Sequence, residues 1–317
     1  MSGKDNLTIS PSIDTVILLF VFNRPDHTSR ILANLQSLRS TFDSNIIIFS
    51  DGTRENNSQD HACVTEVREI CSHYSSDMPI EIIERSLNLG LAQNITEGIK
   101  YAFENCDRII VLEDDLILSK DFFPFMYAML ERFSASTSVF QISGYMCPAT
   151  VQLPGAGLFR VPGSWGWATW RRAWKHYSHD VENLISLIGE SRIHEFNVEG
   201  TYDHFSTLLE NAEGTRTTWA VRWYASVFLA GGLTLYPGSS LVRNGGFDDS
   251  GTNCSGENHI DSIEGVVQRA AWRDVPDLEI SETSEFVETF QKFYQSLQLL
   301  WIPKPSVWER IRHRLFR

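Results

Sequence analysis

Positive charge is in short supply. The chain carries 27 lysines and arginines against 40 aspartates and glutamates, a formal net charge of −13 over 317 residues. A general nucleic-acid binder would be basic overall, so that class is excluded. An anionic small molecule is not, because a local cation and a few arginines suffice to hold one. Cysteine is scarce as well. Cys63, Cys71, Cys106, Cys147 and Cys254 are an odd, scattered set with no zinc spacing and no disulfide framework. A reducing cytoplasm is the simple expectation. Long apolar runs are missing: Val16 to Phe22 is too short to span a bilayer. Met1 to Asp14 is polar and lacks the charged start and apolar core of a signal peptide. A protein that is soluble, or attached only at a membrane surface, is expected. Gly-x-Gly-x-x-Gly and Gly-Lys-Ser/Thr are absent, which lowers dinucleotide and P-loop readings. There is no internal repeat and no long low-complexity segment.

What the chain does have is an alternation of apolar runs and helical periodicity. Val16 to Phe22 reads as a strand buried on both faces. Asn23-Arg24-Pro25-Asp26 breaks it, and a helix follows to about Ser40. Asn45 to Ser50 is a second strand ending in Asp51-Gly52, and Cys63 to Cys71 marks a helix. Ile80 to Ile83 is a third strand, followed by Arg85 and Asn88-Leu89-Gly90, then a helix from about Leu91 to Asn105. Arg108 to Leu112 is a fourth strand running straight into Glu113-Asp114-Asp115. This β-α-β-α-β-α-β order predicts an α/β fold with a mostly parallel sheet and helices on both faces. The four polar strand ends then lie along one edge, where open α/β sheets bind ligands. Three adjacent acids repel one another unless a cation sits among them. A hard ion, Mn²⁺ or Mg²⁺, suits oxygen ligands and leaves positions for substrate phosphates. Arg24 and Arg85 would pair with phosphate oxygens, and Asp51 would accept from a base or ribose. A solvated acidic turn, an ordinary Asp-Gly turn and free surface arginines are the plain alternatives.

Ser119 reads as a helix N-cap with Asp121 in the first turn, and the aromatic stripe Phe122 to Phe133 reads as core. The character changes after about Cys147, where Pro148, Pro154, Gly155, Pro162 and Gly163 make an irregular connection. Trp165, Trp167, Trp170 and Trp174 then crowd into about ten residues. A buried tryptophan-rich helix and a sugar-stacking surface are equally good readings. A mixed outcome is expected, with Trp165 and Trp167 nearer a ligand and Trp170 and Trp174 packed. Asp180 to Glu190, Tyr202 to Asn211 and Trp219 to Ala230 read as helices. The segment Arg243 to Asn253 is glycine-rich and acidic, a candidate lid or an idle surface loop. Phe286 to Leu300 reads as an amphipathic helix. The tail Trp301 to Arg317 mixes aromatics with Lys304, Arg310, Arg312, Arg314 and Arg317, which suggests contact with an anionic membrane surface or a docked terminal helix.

Asn23-Arg24-Pro25, Asp51-Gly52 and Glu113-Asp114-Asp115, each after its strand, resemble a GT-A-fold glycosyltransferase. The likeness is to bacterial family-2-type sugar transferases and to the N-acetylglucosaminyltransferase I-like group, whose Glu-Asp-Asp is a DxD-type metal motif. It covers about Val16 to Asn253, with Gly163 to Trp170 and Pro237 to Thr252 carrying the second half. The resemblance implies a metal-dependent, inverting transfer of a hexosyl or N-acetylhexosaminyl group from a nucleotide-diphosphate sugar, UDP-linked first of all. The acceptor would be a glycan, lipid-linked or protein group in bacterial surface polysaccharide or glycoconjugate synthesis. It implies that Asp115 binds the metal directly, with Glu113 beside it and Asp114 on the ribose or donor sugar. Phe22, Asn23, Arg24, Asp51, Arg85, Asn88 and Gly90 would line the nucleotide site, and Trp165, Gly166 and Trp167 the acceptor or sugar site. The eukaryotic relative carries its catalytic base in a Trp-Asp-Asp-Trp segment. Trp219-Ala220-Val221-Arg222-Trp223 has no acid, so Asp248 and Asp249 are the first candidates and Asp203 the second. Asn253 stands where related loops would place a histidine.

The expected organisation is a polar N-terminus over 1–14 and a nucleotide-sugar half over 15–147. An acceptor half over 148–260 follows, with a flexible loop at 243–260, and a helical extension over 261–317. Two rivals remain. A nucleotidyl- or phosphoryl-transferring α/β enzyme would use the same acids for Mg²⁺ but needs a lysine- or glycine-rich phosphate loop. A non-catalytic sugar-binding relative would explain the missing acid at Trp219.

Overall fold

The computed structural model describes residues 15–246, 275 and 277–298. Strand β1 (Thr15–Val21) leads to helix α1 (Pro25–Ser37), strand β2 (Ile46–Ser50) to α2 (Ser58–Ser75), and β3 (Ile80–Glu84) to α3 (Leu91–Ala102). Then come β4 (Arg108–Glu113), the short β5 (Leu116–Leu118), α4 (Phe122–Arg132) and β6 (Val139–Ser143). The second half adds β7 (Ala156–Phe159), β8 (Trp167–Trp170), α5 (Arg171–Trp174), α6 (Val181–Phe196), α7 (His204–Glu213) and α8 (Trp219–Leu229). Strands β9 (Leu233–Pro237) and β10 (Val242–Asn244) and helix α9 (Ser284–Gln298) complete the described chain.

Eight strands make one sheet in the order β3-β2-β1-β4-β8-β6-β9-β7, while β10 and β5 pair as a separate antiparallel ribbon. Strands β3, β2, β1 and β4 are mutually parallel, as a run of βα units requires. Strand β8 inverts the direction between β4 and β6, and β7 does so at the far edge. This is the expected α/β architecture, a large, mostly parallel sheet with helices on both faces. The sheet continues past residue 147, so both proposed halves contribute strands to it.

Alternation decides the packing. On β1, Ile17, Leu19 and Val21 face α1, α2 and α4, while Leu18 and Phe20 face α3 and α8. On β4, Ile110 and Leu112 join the first layer, and Ile109 and Val111 the second. Both faces are covered, which is why these strands are apolar through their centres. Helices α6, α7, α8 and α9 enclose a further apolar cluster with β7, where Phe159 stacks on Phe290 at 4.6 Å.

Two expectations about the tryptophan region change here. Trp167, placed near a ligand by the sequence reading, is wholly buried, because it lies on central strand β8 and stacks on Trp219 at 5.1 Å. Trp170 is packed as expected, with its indole N–H donating to the Leu130 carbonyl at 3.2 Å. The stretch is therefore a strand running into a single turn of helix, and neither a long helix nor an open sugar platform. Ser119 is not an N-cap: α4 starts at Phe122, and the Ser119 carbonyl accepts the Phe122 N–H at 3.1 Å. Strand β7 also falls where an irregular connection was expected.

Among the described residues, Cys63, Cys71, Cys106 and Cys147 form no disulfide. Among the described residues, no helix is long and apolar enough to cross a membrane. The N-terminal stretch, residues 247–260 of the proposed lid, Asp248, Asp249, Asn253, Cys254 and the basic tail from Trp301 lie outside the described residues.

One buried group ties the second half to acid. The His204 ring sits among Tyr202, Tyr224 and Tyr294, with centroids 4.5, 4.9 and 5.5 Å away. Burial pushes it down from the ordinary imidazole value of 6.5 to about 3. A group lowered in this way favours folding above its unfolded value, and that contribution falls as pH drops from 6.5 toward 3. Over that window the chain should lose about 1.4 kcal/mol of stability per pH unit through this ring. Urea midpoints followed from pH 7 to pH 4 should show a flatter decline in His204→Phe, and parallel curves would count against the assignment.

Candidate active site

The C-terminal ends of β1, β2 and β4 meet the loop before α3 and the start of α8 around a cleft of about 590 Å³. A cleft of this size suits a small molecule. Phe22, Asn23, Arg24, Asp51, Asn88, Gly90, Glu113, Asp114, Asp115 and Trp165 all line it.

At the centre, Arg24 leaves β1 and crosses to the end of β4. Its guanidinium forks onto Asp114, with Nε to Oδ2 at 3.3 Å and Nη2 bonded to Oδ1, and Nη2 also donates to Asp115 Oδ2 at 3.1 Å. Asp114 and Asp115 are both buried. Burial works against the charge of Arg24, and Asp114 and Asp115 more than offset it, so the guanidinium stays above the usual arginine range. Burial, followed by the charges of Asp115 and Asp114, pushes the Glu113 carboxyl up to about 8. Burial raises Asp114 to about 6 against the pull of Arg24. One guanidinium is thus set against three carboxylates, and the site retains an excess of negative charge that a further cation would relieve. Opposite them, the backbone turns closely: Gly245 N–H donates to the Asp115 carbonyl at 2.7 Å, and a Cβ on Gly246 would stand 2.5 Å from Asp115 Oδ2.

Asp51, expected at a base or ribose, is held by protein groups in this structure. Its Oδ1 accepts the N–H groups of Gly52 at 2.9 Å and Leu89 at 2.8 Å. Its Oδ2 accepts the Gly90 N–H at 3.0 Å and the Asn88 amide at 3.2 Å. The carboxylate is 3% exposed and its acceptor capacity is filled by protein. It clamps the 88–90 loop to the end of β2, giving the cleft a shaped wall. Gly90, at φ 73° and ψ 156°, occupies backbone space essentially closed to other residues.

A second clamp was invisible in the sequence. Asp60, in the first turn of α2 and 2% exposed, accepts from Asn23 Nδ2 at 2.7 Å and from Arg54 Nη2 at 2.7 Å. It fixes two cleft residues from two strand ends at once. Arg54 also lies over the Phe22 ring at 5.4 Å. Ser164, Arg216, Thr217, Thr218, Trp219 and Asn244 complete the wall without having been predicted. Trp219 carried a signal as the match to the acid-bearing segment of the eukaryotic relative, and Ser164 and Asn244 lay within the two second-half stretches that carried the resemblance.

Three expected residues stand elsewhere. Arg85 reaches Asn94 Oδ1 at 3.3 Å, lies over Phe49 and does not line the cleft. Asp203 caps α7, accepting from the Ser206 N–H at 3.1 Å and from Asn197 Nδ2 at 3.1 Å, and is also outside the cleft wall. Gly166 packs on Phe122 and Val242 beneath the wall. Of the tryptophan cluster, Trp165 alone lines the cleft, held edge-on by Tyr145 at 4.5 Å.

Among the described residues, no three His, Cys, Asp or Glu side chains gather into a metal cage. The donor set is carboxylate only. It matches a hard cation held by one or two carboxylates, with the remaining positions taken by phosphate oxygens.

Residues 16–154 match glycosyl transferase family 2. No curated protein matches the chain. Among solved structures it is similar to glucosyl-3-phosphoglycerate synthase from Mycobacterium tuberculosis, solved with Mn²⁺, UDP and glucosyl-3-phosphoglycerate, at 9% identity and a TM-score of 0.34. That match covers 52% of this chain and 59% of the synthase, so the chain spans little more than half of that relative. It is also similar to a protein from Desulfovibrio desulfuricans described as a nucleotide-diphospho-sugar transferase. There the identity is 12%, the TM-score 0.33, and the coverage 65% of this chain and 78% of that one. The family match concerns the family-2 side of the sequence resemblance.

Proposed function

We propose, from the premise that residues 16–154 form a glycosyl transferase family 2 domain, that this chain transfers a sugar from a nucleotide-diphosphate donor to an acceptor hydroxyl. The observation that carries this reading is the meeting of three strand ends in one cleft. A guanidinium and an excess of carboxylate lie at its centre, and a clamped glycine loop forms its wall. The diphosphate would lie between Arg24, Arg54 and the acids of β4. The nucleoside would lie against Phe22 and the 88–90 loop, so that Asp51 shapes the pocket rather than reading the base directly. A divalent ion, Mn²⁺ or Mg²⁺, would be held by Asp115 with Glu113 beside it, and it would supply charge to the departing diphosphate.

The rest belongs to this chain's own groups. Arg24 would donate to phosphate oxygens as charge builds on the leaving group, electrostatic help that grows toward the transition state. In a single displacement the acceptor oxygen bonds to the anomeric carbon and the bond from that carbon to phosphate oxygen breaks. The nucleoside diphosphate leaves with the electron pair. The acceptor's proton must pass to a carboxylate. Asp51 and Asp114 are already engaged by N–H donors and Arg24. Asp248 and Asp249, close behind Gly246 in the chain, therefore remain the proposed bases, and inversion the proposed stereochemistry. UDP is the proposed nucleotide. A glycan, lipid-linked or protein acceptor in bacterial surface polysaccharide or glycoconjugate synthesis, on the inner membrane face, is the proposed setting. The phosphoryl-transfer rival fares worse, because among the described residues no lysine lines the cleft.

Two measurements bear on this. Release of nucleoside diphosphate from a panel of UDP- and GDP-sugars should depend on added Mn²⁺ or Mg²⁺; absence of any nucleotide binding in calorimetry would overturn the reading. Gly246→Ala should push Asp115 aside and lower turnover roughly tenfold to a hundredfold. An unchanged rate would show that Asp115 does not need its present position.

A further inference from the structure

Beside the donor cleft lies a second cavity, of about 690 Å³, between one face of α3, helix α5 and the segment leading into α8. The transfer reaction derived above makes no use of it. The two cavities share Ala92, Gln93 and Thr217 in their walls, so they adjoin.

Lys100, Arg171, Lys175 and Arg222 bring four formal positive charges to this cavity against one acid, Glu97. Glu97 is occupied in part, accepting from Gln93 Nε2 at 2.7 Å. Arg171 pairs with Asp107 at 3.0 Å and donates to the Cys106 carbonyl. Among the described residues, no carboxylate pairs with Lys100, Lys175 or Arg222, and Arg222 Nε donates to the Thr218 carbonyl at 3.0 Å. On a chain of net charge −13 this is a local reversal of sign, and cations crowded on one concave wall raise the local concentration of anions. Its field is felt nearby: burial, then Arg222 and Lys100, hold His179 below the ordinary imidazole range. Part of the remaining wall is aromatic, from Phe103, Trp174 and Tyr177. Trp174 and Tyr177 stack at 4.5 Å with 11° between their planes, and the Tyr177 hydroxyl is buried without a partner among the described residues. An amphipathic aromatic wall beside three cations without carboxylate partners suits a sugar ring carrying a negative group.

We propose that this groove holds the acceptor, and that the acceptor is an anionic glycan bearing a phosphate or carboxylate. The acidic group lies among Lys100, Lys175 and Arg222. The saccharide runs past Gln93 and Thr217, so that its free hydroxyl enters the donor cleft. The acceptor role rests on the transferase reading; the binding of an anionic saccharide does not.

The test is direct binding to the full chain by calorimetry at low and at physiological salt. The probes are lactose, lactose phosphate, sialyllactose, inorganic phosphate and phosphatidylglycerol vesicles, with UDP plus Mn²⁺ titrated separately. The expected result is that a charged saccharide binds at least about tenfold more tightly than lactose. The double variant K100A/K175A should lose that margin, while UDP affinity stays within about twofold. Arg222→Gln should do the same with less disturbance of α8. Equal binding of neutral and charged sugars, binding of none of them, inorganic phosphate binding as tightly as the charged sugars, or capture by vesicles alone would each overturn the proposal. So would parallel loss of UDP binding in the lysine variants, which would make the groove part of the donor site. If the wild type bound charged sugar but no nucleotide, the transferase reading would fail and the groove would stand.

Discussion

Asp115→Asn lowers turnover by about a hundredfold to a thousandfold while leaving the fold in place. The substitution preserves volume and keeps one oxygen for Arg24 Nη2, which now lies 3.1 Å from Asp115 Oδ2. The backbone of Asp115 keeps its bond from Gly245. What disappears is one negative charge and one metal-binding oxygen at the point where the diphosphate would depart. Arg24 still has its fork onto Asp114, so the buried guanidinium is not orphaned. The effect should therefore appear in kcat and in the concentration of Mn²⁺ needed for half-maximal rate. The thermal midpoint should move by only a few degrees. A variant with normal turnover would remove Asp115 from the reaction. A variant that fails to fold would show Asp115 to be structural, and Arg24→Lys, with its weaker fork, would then have to separate the roles.

Asp51→Ala produces the largest loss of stability. Three backbone N–H groups, those of Gly52, Leu89 and Gly90, and the Asn88 amide lose their acceptor together. An unpaired buried donor costs about 1–3 kcal/mol, and water entering the emptied space recovers part of it. A net loss of about 3–6 kcal/mol is expected, with nucleotide affinity falling alongside as the 88–90 wall loosens. Asp51→Asn keeps one acceptor oxygen but turns an amide donor toward N–H groups, so it should fall between the two. Urea unfolding of the three proteins checks the order. A drop in nucleotide binding with no change in stability would restore Asp51 to the direct base contact read from the sequence.

How much of this was legible beforehand follows from where each signal resides. Strands β1, β2 and β4 are apolar through their centres because helices cover both faces, and each ends in a polar turn, so the edge carrying the cleft could be located from the sequence. Strand β8 could not, because four crowded tryptophans read equally well as core or as binding surface. The distinction came from β8 lying between β4 and β6, which buries Trp167 and leaves Trp165 before the strand at the cleft. Asp51 was picked out at the right edge, but Asp-Gly does not reveal that Leu89 and Gly90 will fold back onto the carboxylate. Asp60 was missed for a related reason. An acid in the first turn of a helix is ordinary, and only the fold sets it between Asn23 and Arg54. Arg85 and Asp203 show the reverse: suitable chemistry near the edge in sequence, but engaged with Asn94 and the start of α7 in space.

The central claim is that the acids closing β4, with Arg24, hold a nucleotide's diphosphate together with a divalent ion. Calorimetric titration of UDP into the full chain, with Mn²⁺ and then with EDTA, tests it most directly. The account predicts binding with the metal, much weaker binding without it, and loss of the metal effect in Asp115→Asn. UDP affinity indifferent to Mn²⁺ and unchanged by Asp115→Asn would contradict it.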